Sequence, residues 1–124
     1  MRLLLDTHVL LWWLTDAKLS PRAREALADP ENKLFVSAAT TWELVIKAGL
    51  GRLTLPEALT EVLAEQDLLP LPVTIAHSLA VRDLPPLHRD PFDRLLVAQA
   101  GYEGLTLVTR DEQVMAYDVP VLAA

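Results

Sequence analysis

The chain has no cysteine among its 124 residues. That excludes thiolate zinc sites, thiol nucleophiles and a disulfide scaffold. It is compatible with a reducing cytoplasm, which is where we expect the protein. Glycine is scarce, at four residues, and these form no G-x-x-x-x-G-K-[ST] phosphate loop. A G-x-S-x-G nucleophile elbow is also missing. No apolar run approaches the ~18 residues needed to cross a bilayer. The stretch MRLLLDTHVLLWWLTDAKL comes nearest to a signal peptide, but Asp6 and His8 interrupt it and no small-residue cleavage site follows. It reads instead as a buried strand and helix. Positive charge is in deficit, with 11 Lys and Arg against 17 Asp and Glu and a net charge of −6. Proteins that coat nucleic acid are basic, so that class is disfavoured. An enzyme whose acids hold cations escapes this exclusion, because a bound cation reverses the local field.

What is present points to a single domain over residues 1–124. A chain of this size buries roughly two-thirds of its unfolded surface and needs no staple. Its hydrophobic fraction, 52%, is a little high; a dense core or a partner on an apolar face would each explain it. Short β-type runs alternate with helical segments. Strands are expected at residues 2–5, 34–36, 69–72, 105–108 and 119–122. Helices are expected at 8–14, 21–28, 38–49, 56–66, 75–81, 91–102 and 111–115. Ser20-Pro21, Ser37, Thr74 and Asp90-Pro91 are helix starts, and Gly49, Gly51 and Gly104 are stops. The segment Leu84-Pro85-Pro86-Leu87-His88-Arg89 reads as a stiff linker. Strands separated by helices imply right-handed crossovers. The expected fold is therefore α/β, three layers, with a central, mainly parallel sheet of four to five strands. Such sheets bind ligands beyond the carboxyl ends of their strands.

Two acids sit at that edge by register alone. Asp6 directly follows the first strand, and Asp111 follows the strand at 105–108 with Thr109 beside it. Each could equally be a helix N-cap. Thr109 could hydrogen-bond a ligand or a water. Glu43 is flanked by Trp42, Leu44, Val45 and Ile46, so partial burial is expected, and a buried acid needs a partner or a metal. The plainer alternative is an i,i+4 pair with Lys47. Asp90 and Asp93, in HRDPFDRLLVAQA, are what a helix start wants. Asp93 stands where that helix turns into the core and could cap and still project toward the strand ends. Asp16, Asp29, Glu61, Glu65 and Asp118 read as solvated charges. His8, His77 and His88 lack a two-His ligand spacing; His8 is the best placed of them. Acids converging at one sheet edge suit Mg²⁺ or Mn²⁺, which prefer carboxylate oxygen. Such ions orient a phosphodiester, acidify a water and stabilise the leaving oxygen.

Four segments, in order and at matching spacing over nearly the whole chain, resemble the motifs of PIN-domain proteins. The likeness is specifically to the toxin ribonucleases of VapBC-type toxin–antitoxin pairs. LLLDTHVLLWW resembles the first motif, with its acid at Asp6. SAATTWELVIKAGLGRL resembles the second, with Glu43. HRDPFDRLLVAQA resembles the third, with the acid at Asp93 and Asp90 one turn back, either sharing the metal or only capping the helix. LTLVTRDEQV resembles the fourth, with Thr109 and Asp111. The resemblance implies an endoribonuclease dependent on Mg²⁺ or Mn²⁺. Asp6, Glu43 and Asp93 would be catalytic, and all three with Asp111 would ligate the metal. It also implies a homodimer and a small antitoxin partner that blocks the site. Arg2, Lys47, Arg52, Arg89, Arg94 and Arg110 are candidates for steering phosphates. The competing readings are a PIN-like module that binds RNA or protein without cutting, and a receiver-like phospho-acceptor at Asp6. The second lacks the acidic pair it would need near Val36-Ser37-Ala38.

Overall fold

The computed structural model describes residues 1–15 and 18–124. Asp16 lies outside the described residues. Five strands form one sheet: β1 (Arg2–Leu5), β2 (Lys33–Ser37), β3 (Leu68–Leu71), β4 (Thr106–Thr109) and β5 (Val121–Ala123). Their order is β3-β2-β1-β4-β5, and every pairing is parallel. The helices are α1 (Thr7–Thr15), α2 (Pro21–Ala28), α3 (Ala38–Gly49), α4 (Leu59–Glu65), α5 (Ile75–Ala80), α6 (Pro91–Glu103) and α7 (Glu112–Met115). A 3₁₀ turn, Val81–Asp83, follows α5.

β1 is apolar on both faces because it is the middle strand, covered above and below. Leu3 and Leu5 join one core with Val9, Leu10, Ala23, Leu27 and Leu44. Leu4 points the other way and joins Leu96, Val97, Ala100, Leu107 and Tyr117. The two cores lie between the sheet and the two outer helical layers of the α/β/α arrangement. The expected caps form. Ser20 accepts from Ala23 N–H and Ser37 from Ala39 N–H. Asp90 accepts from both Phe92 and Asp93 N–H. Gly104 ends α6 in the left-handed region, at φ 67°, where a side chain would be strained.

Most boundaries shift by a residue or two, and two of the differences lie in the helices after Pro56 and Thr74. The helix expected from Pro56 begins three residues later, because Ala58 stands at its N-cap with no side-chain acceptor and the preceding residues form a turn. The helix capped by Thr74 tightens into the 3₁₀ turn and then stops at the prolines.

β1 runs outward to β2 and β3 on one side, and the chain then returns to place β4 on its other side. The winding therefore reverses beside β1. That is where a parallel sheet leaves a crevice at its carboxyl edge, and β1 and β4 both deliver their last residues into it.

Candidate active site

Asp6 leaves β1 with its backbone still in the ladder, its N–H donating to Val108 C=O at 3.1 Å. Its carboxylate is buried and accepts from Val9 N–H at 2.8 Å. Capping of α1 and placement at the strand edge are thus one arrangement. Burial pushes its pKa upward, opposed by hydrogen bonds from Thr109 and Val9 and by the nearby His8. The Thr109 hydroxyl also accepts from Asp111 N–H at 3.1 Å. One residue at the end of β4 therefore links the first acid to the last.

Glu43 faces inward from α3 and is only 8% exposed. Oε1 accepts from Thr7 Oγ1 at 2.7 Å. Oε2 pairs with Lys47 Nζ at 2.8 Å. The i,i+4 pair is real, but it belongs to an acid turned into the crevice rather than to a solvated helix face. Thr7 was not singled out in the sequence, although its place directly after Asp6 was a usable signal.

Asp93, one turn into α6, is the most perturbed group. Its pKa is raised to about 7, chiefly by burial, then by the charge of Asp90, with further repulsion from Asp6 and Glu43. Asp6 in turn feels the charge of Asp111. Asp6 and Glu43 thus act on Asp93, and Asp111 acts on Asp6, but neither Asp6 nor Glu43 joins Asp93 and Asp111 at the spacing of a shared ion. Asp90 caps the helix and adds its charge to the cluster.

His88 is the residue that sequence reasoning underrated. Its Nε2 lies 2.9 Å from Asp93 Oδ2 and 3.1 Å from Asp111 Oδ2. One donor atom from each of these three residues falls within 4.8 Å of the others, a spacing that could hold a metal ion. The signal was its position two residues before Asp90, at the end of a proline-stiffened linker. His8 is exposed and tilts toward Trp12, with ring centroids 5.9 Å apart. His77 is buried elsewhere, in the capping box of α5.

The basic residues divide. Arg2 lies at the opposite edge of the sheet, bound to Glu103 C=O and over the Phe35 ring. Arg94 is spent on the linker, donating to Val81 and Pro85 C=O and to Tyr117 Oη. Arg110 donates to Ala124 and Lys18 C=O and stacks on Trp12. Arg52 and Arg89 are exposed, and Lys47 sits on Glu43.

The donor set fits a hard divalent cation. It offers carboxylate oxygen and no sulfur, and burial, with added repulsion from neighbouring acids, pushes the Asp93 pKa upward, a shift that a cation would oppose. Two hollows lie away from these acids. One of about 700 Å³ is apolar, between β3, the start of α3 and α4, with Leu63, Leu71 and Pro72 in its walls. No described helix is long and apolar enough to cross a membrane.

The sequence matches the PIN domain family over residues 3–120. No curated protein sequence matches it. Solved structures do. VapBC2 from Rickettsia felis, bound to a DNA fragment from its promoter, superposes with a TM-score of 0.75 at 16% identity, covering 100% of this chain and 99% of that one. DNA-bound VapBC from Salmonella typhimurium gives 0.67 at 17%, covering 99% and 98%. FitAcB from Neisseria gonorrhoeae gives 0.60 at 22%, covering 97% and 96%. At these identities the likeness is one of fold.

Proposed function

The chain belongs to the PIN-domain family, and from that premise we propose that it is a metal-dependent endoribonuclease, the toxin of a toxin–antitoxin pair. One observation supports the reading: Asp93, raised to about 7, feels the charges of Asp6 and Glu43, Asp6 feels that of Asp111, and Asp93 and Asp111 meet at His88. An acid kept only to cap a helix has no reason to sit among three others at such electrostatic cost.

Asp6, Glu43 and Asp93 would hold Mg²⁺ or Mn²⁺, with help from Asp111. When bound, the ion supplies charge for the scissile phosphate and a water more acidic than bulk. The chain's own groups do the rest. Thr109 orients the Asp6 carboxylate and steadies the turn that carries Asp111. Thr7 orients Glu43. Of the six candidate cations, Arg52 and Arg89 are left to meet the phosphates, because Lys47 pairs with Glu43 and Arg2, Arg94 and Arg110 are taken up by the fold. Without the ion the cluster repels RNA, so substrate binding is metal-linked.

The partner side of the proposal rests on apolar surface. Trp42, Val45, Ile46 and Leu50 form an exposed stripe along α3, and the apolar hollow opens near the start of that helix. Contiguous exposed apolar surface of this kind marks an interface, here for an antitoxin or a second copy of the chain. The test is cleavage of RNA in Mg²⁺ or Mn²⁺ by the wild type and by Asp6→Asn. We expect cleavage by the first only; equal activity in both sinks the site assignment.

A further inference from the structure

The trio His88, Asp93 and Asp111 has the spacing of a metal site with one nitrogen ligand. The other face of the imidazole argues against that role. His88 Nδ1 accepts from Arg89 N–H at 2.9 Å and from Asp90 N–H at 3.3 Å. A ring nitrogen that accepts carries no proton, so the proton sits on Nε2. Ligation through Nε2 needs that proton gone and Nδ1 protonated, which would set three N–H groups against one another. Backbone donors at the start of α6 thus choose the tautomer, and that tautomer turns an N–H toward the acids.

We infer that His88 is a positioning residue whose Nε2–H ties Asp93 on α6 to Asp111 at the start of α7, holding the two acids in register for the cation without ligating it. This rests on the metal-nuclease reading and specifies how its site is assembled. The two acids come from separate segments, and nothing else described joins their side chains. Asp93 Oδ2 and Asp111 Oδ2 share the one donor, while Asp111 Oδ1 is committed to Gln113 N–H at 2.8 Å. The ring itself is anchored. His88 N–H donates to Tyr117 Oη at 3.0 Å, and Arg94 reaches the same oxygen at 3.0 Å while gripping the linker carbonyls of Val81 and Pro85. A rigid donor on a pinned linker is what the supporting shell of a metal centre requires. It follows that the ligands are all oxygen, the set that favours Mg²⁺ and Mn²⁺ over zinc.

The experiment measures Mn²⁺ binding to the metal-free protein by electron paramagnetic resonance, in the wild type, His88→Gln and His88→Ala. Thermal melts serve as the check on folding. The Gln amide places an N–H near the position of Nε2. We expect His88→Ala to bind Mn²⁺ about 10–100-fold more weakly and His88→Gln to stay within about threefold of wild type. Histidine ¹⁵N spectra of the wild type should show Nε2 still protonated when Mg²⁺ saturates the site. Loss of that proton on Mg²⁺ binding overturns the inference, and the spectrum needs no variant to fold. So does equal Mn²⁺ affinity in His88→Ala and wild type. A wild type that binds no Mn²⁺ sinks the metal-nuclease reading itself, and this inference with it.

Discussion

His77 and His88 are built alike. In each, Nδ1 accepts a backbone N–H, from Thr74 in one case and Arg89 in the other, and Nε2 faces a carboxylate at 2.9 Å. Their surroundings differ. His77 is fully buried, with Gln99 against Nδ1 and a single acid, Glu103, at Nε2. His88 meets two acids, one of which is crowded by three more. The same imidazole geometry closes a helix cap in one place and organises a charged crevice in the other. The lesson is that a histidine's role is set by what lies beyond its first partner.

The largest effect should come from the acids themselves. Asp93→Asn should lower metal-dependent RNA cleavage by about a thousandfold or more, measured as single-turnover rate in saturating Mg²⁺. His77→Ala should leave Mn²⁺ affinity and cleavage per folded molecule unchanged. It should cost about 2–4 kcal/mol of stability in urea unfolding, because it empties a buried site and strands Glu103, Gln99 and the cap. If His77→Ala instead weakens Mn²⁺ binding, the contrast between the two histidines collapses.

Next comes pH. The Asp93 carboxyl has its pKa raised from 3.8 to about 7 in the folded protein. The native state therefore binds the proton more tightly than the unfolded chain, and stability falls as pH rises from about 4 through about 7. With solvent screening at a side chain 22% exposed, this site should contribute about 1–3 kcal/mol to the fall. Metal-free Asp93→Asn should lose that component, and saturating Mg²⁺ should offset it in the wild type; a pH–stability series with and without the ion checks both. The smallest effect is expected from Tyr117→Phe. Losing the oxygen that receives His88 N–H and Arg94 should cost about 1 kcal/mol and loosen Mn²⁺ binding a few-fold, read by the same titration.

Much of this was legible in the sequence because local rules and the global fold agree. Apolar runs marked β1, β2 and β4 as covered strands. The pairs Ser20-Pro21 and Asp90-Pro91 marked helix starts to the residue. Asp6 and Asp111 could be placed by register, since any residue after a parallel strand goes to the ligand edge. Glu43 and Asp93 could not, because a helical acid's direction depends on packing. Their assignment rests on family resemblance; in the structure Asp93 feels the charges of Asp6 and Glu43 and meets Asp111 at His88. His88 was undervalued for a related reason. Its position is set by Tyr117 and Arg94, tertiary partners with no signature near it. The same partners explain why Arg94 is unavailable to phosphate. Its guanidinium holds the linker, a use that counting charges could not foresee.

β1 hydrogen-bonds to β4 by pairing residues 3–5 with 106–108, so the crevice is closed by segments far apart in sequence. During synthesis, Asp6 and Glu43 leave the ribosome long before Thr109 and Asp111 exist. Until residues 106–111 have emerged, the nascent chain carries isolated acids and no assembled centre, and β4 cannot zip against β1. For a protein proposed to destroy RNA, this delay is protective. The messenger and ribosome producing it are beside an inert chain until those residues emerge, and a product cut short before them would lack Thr109 and Asp111.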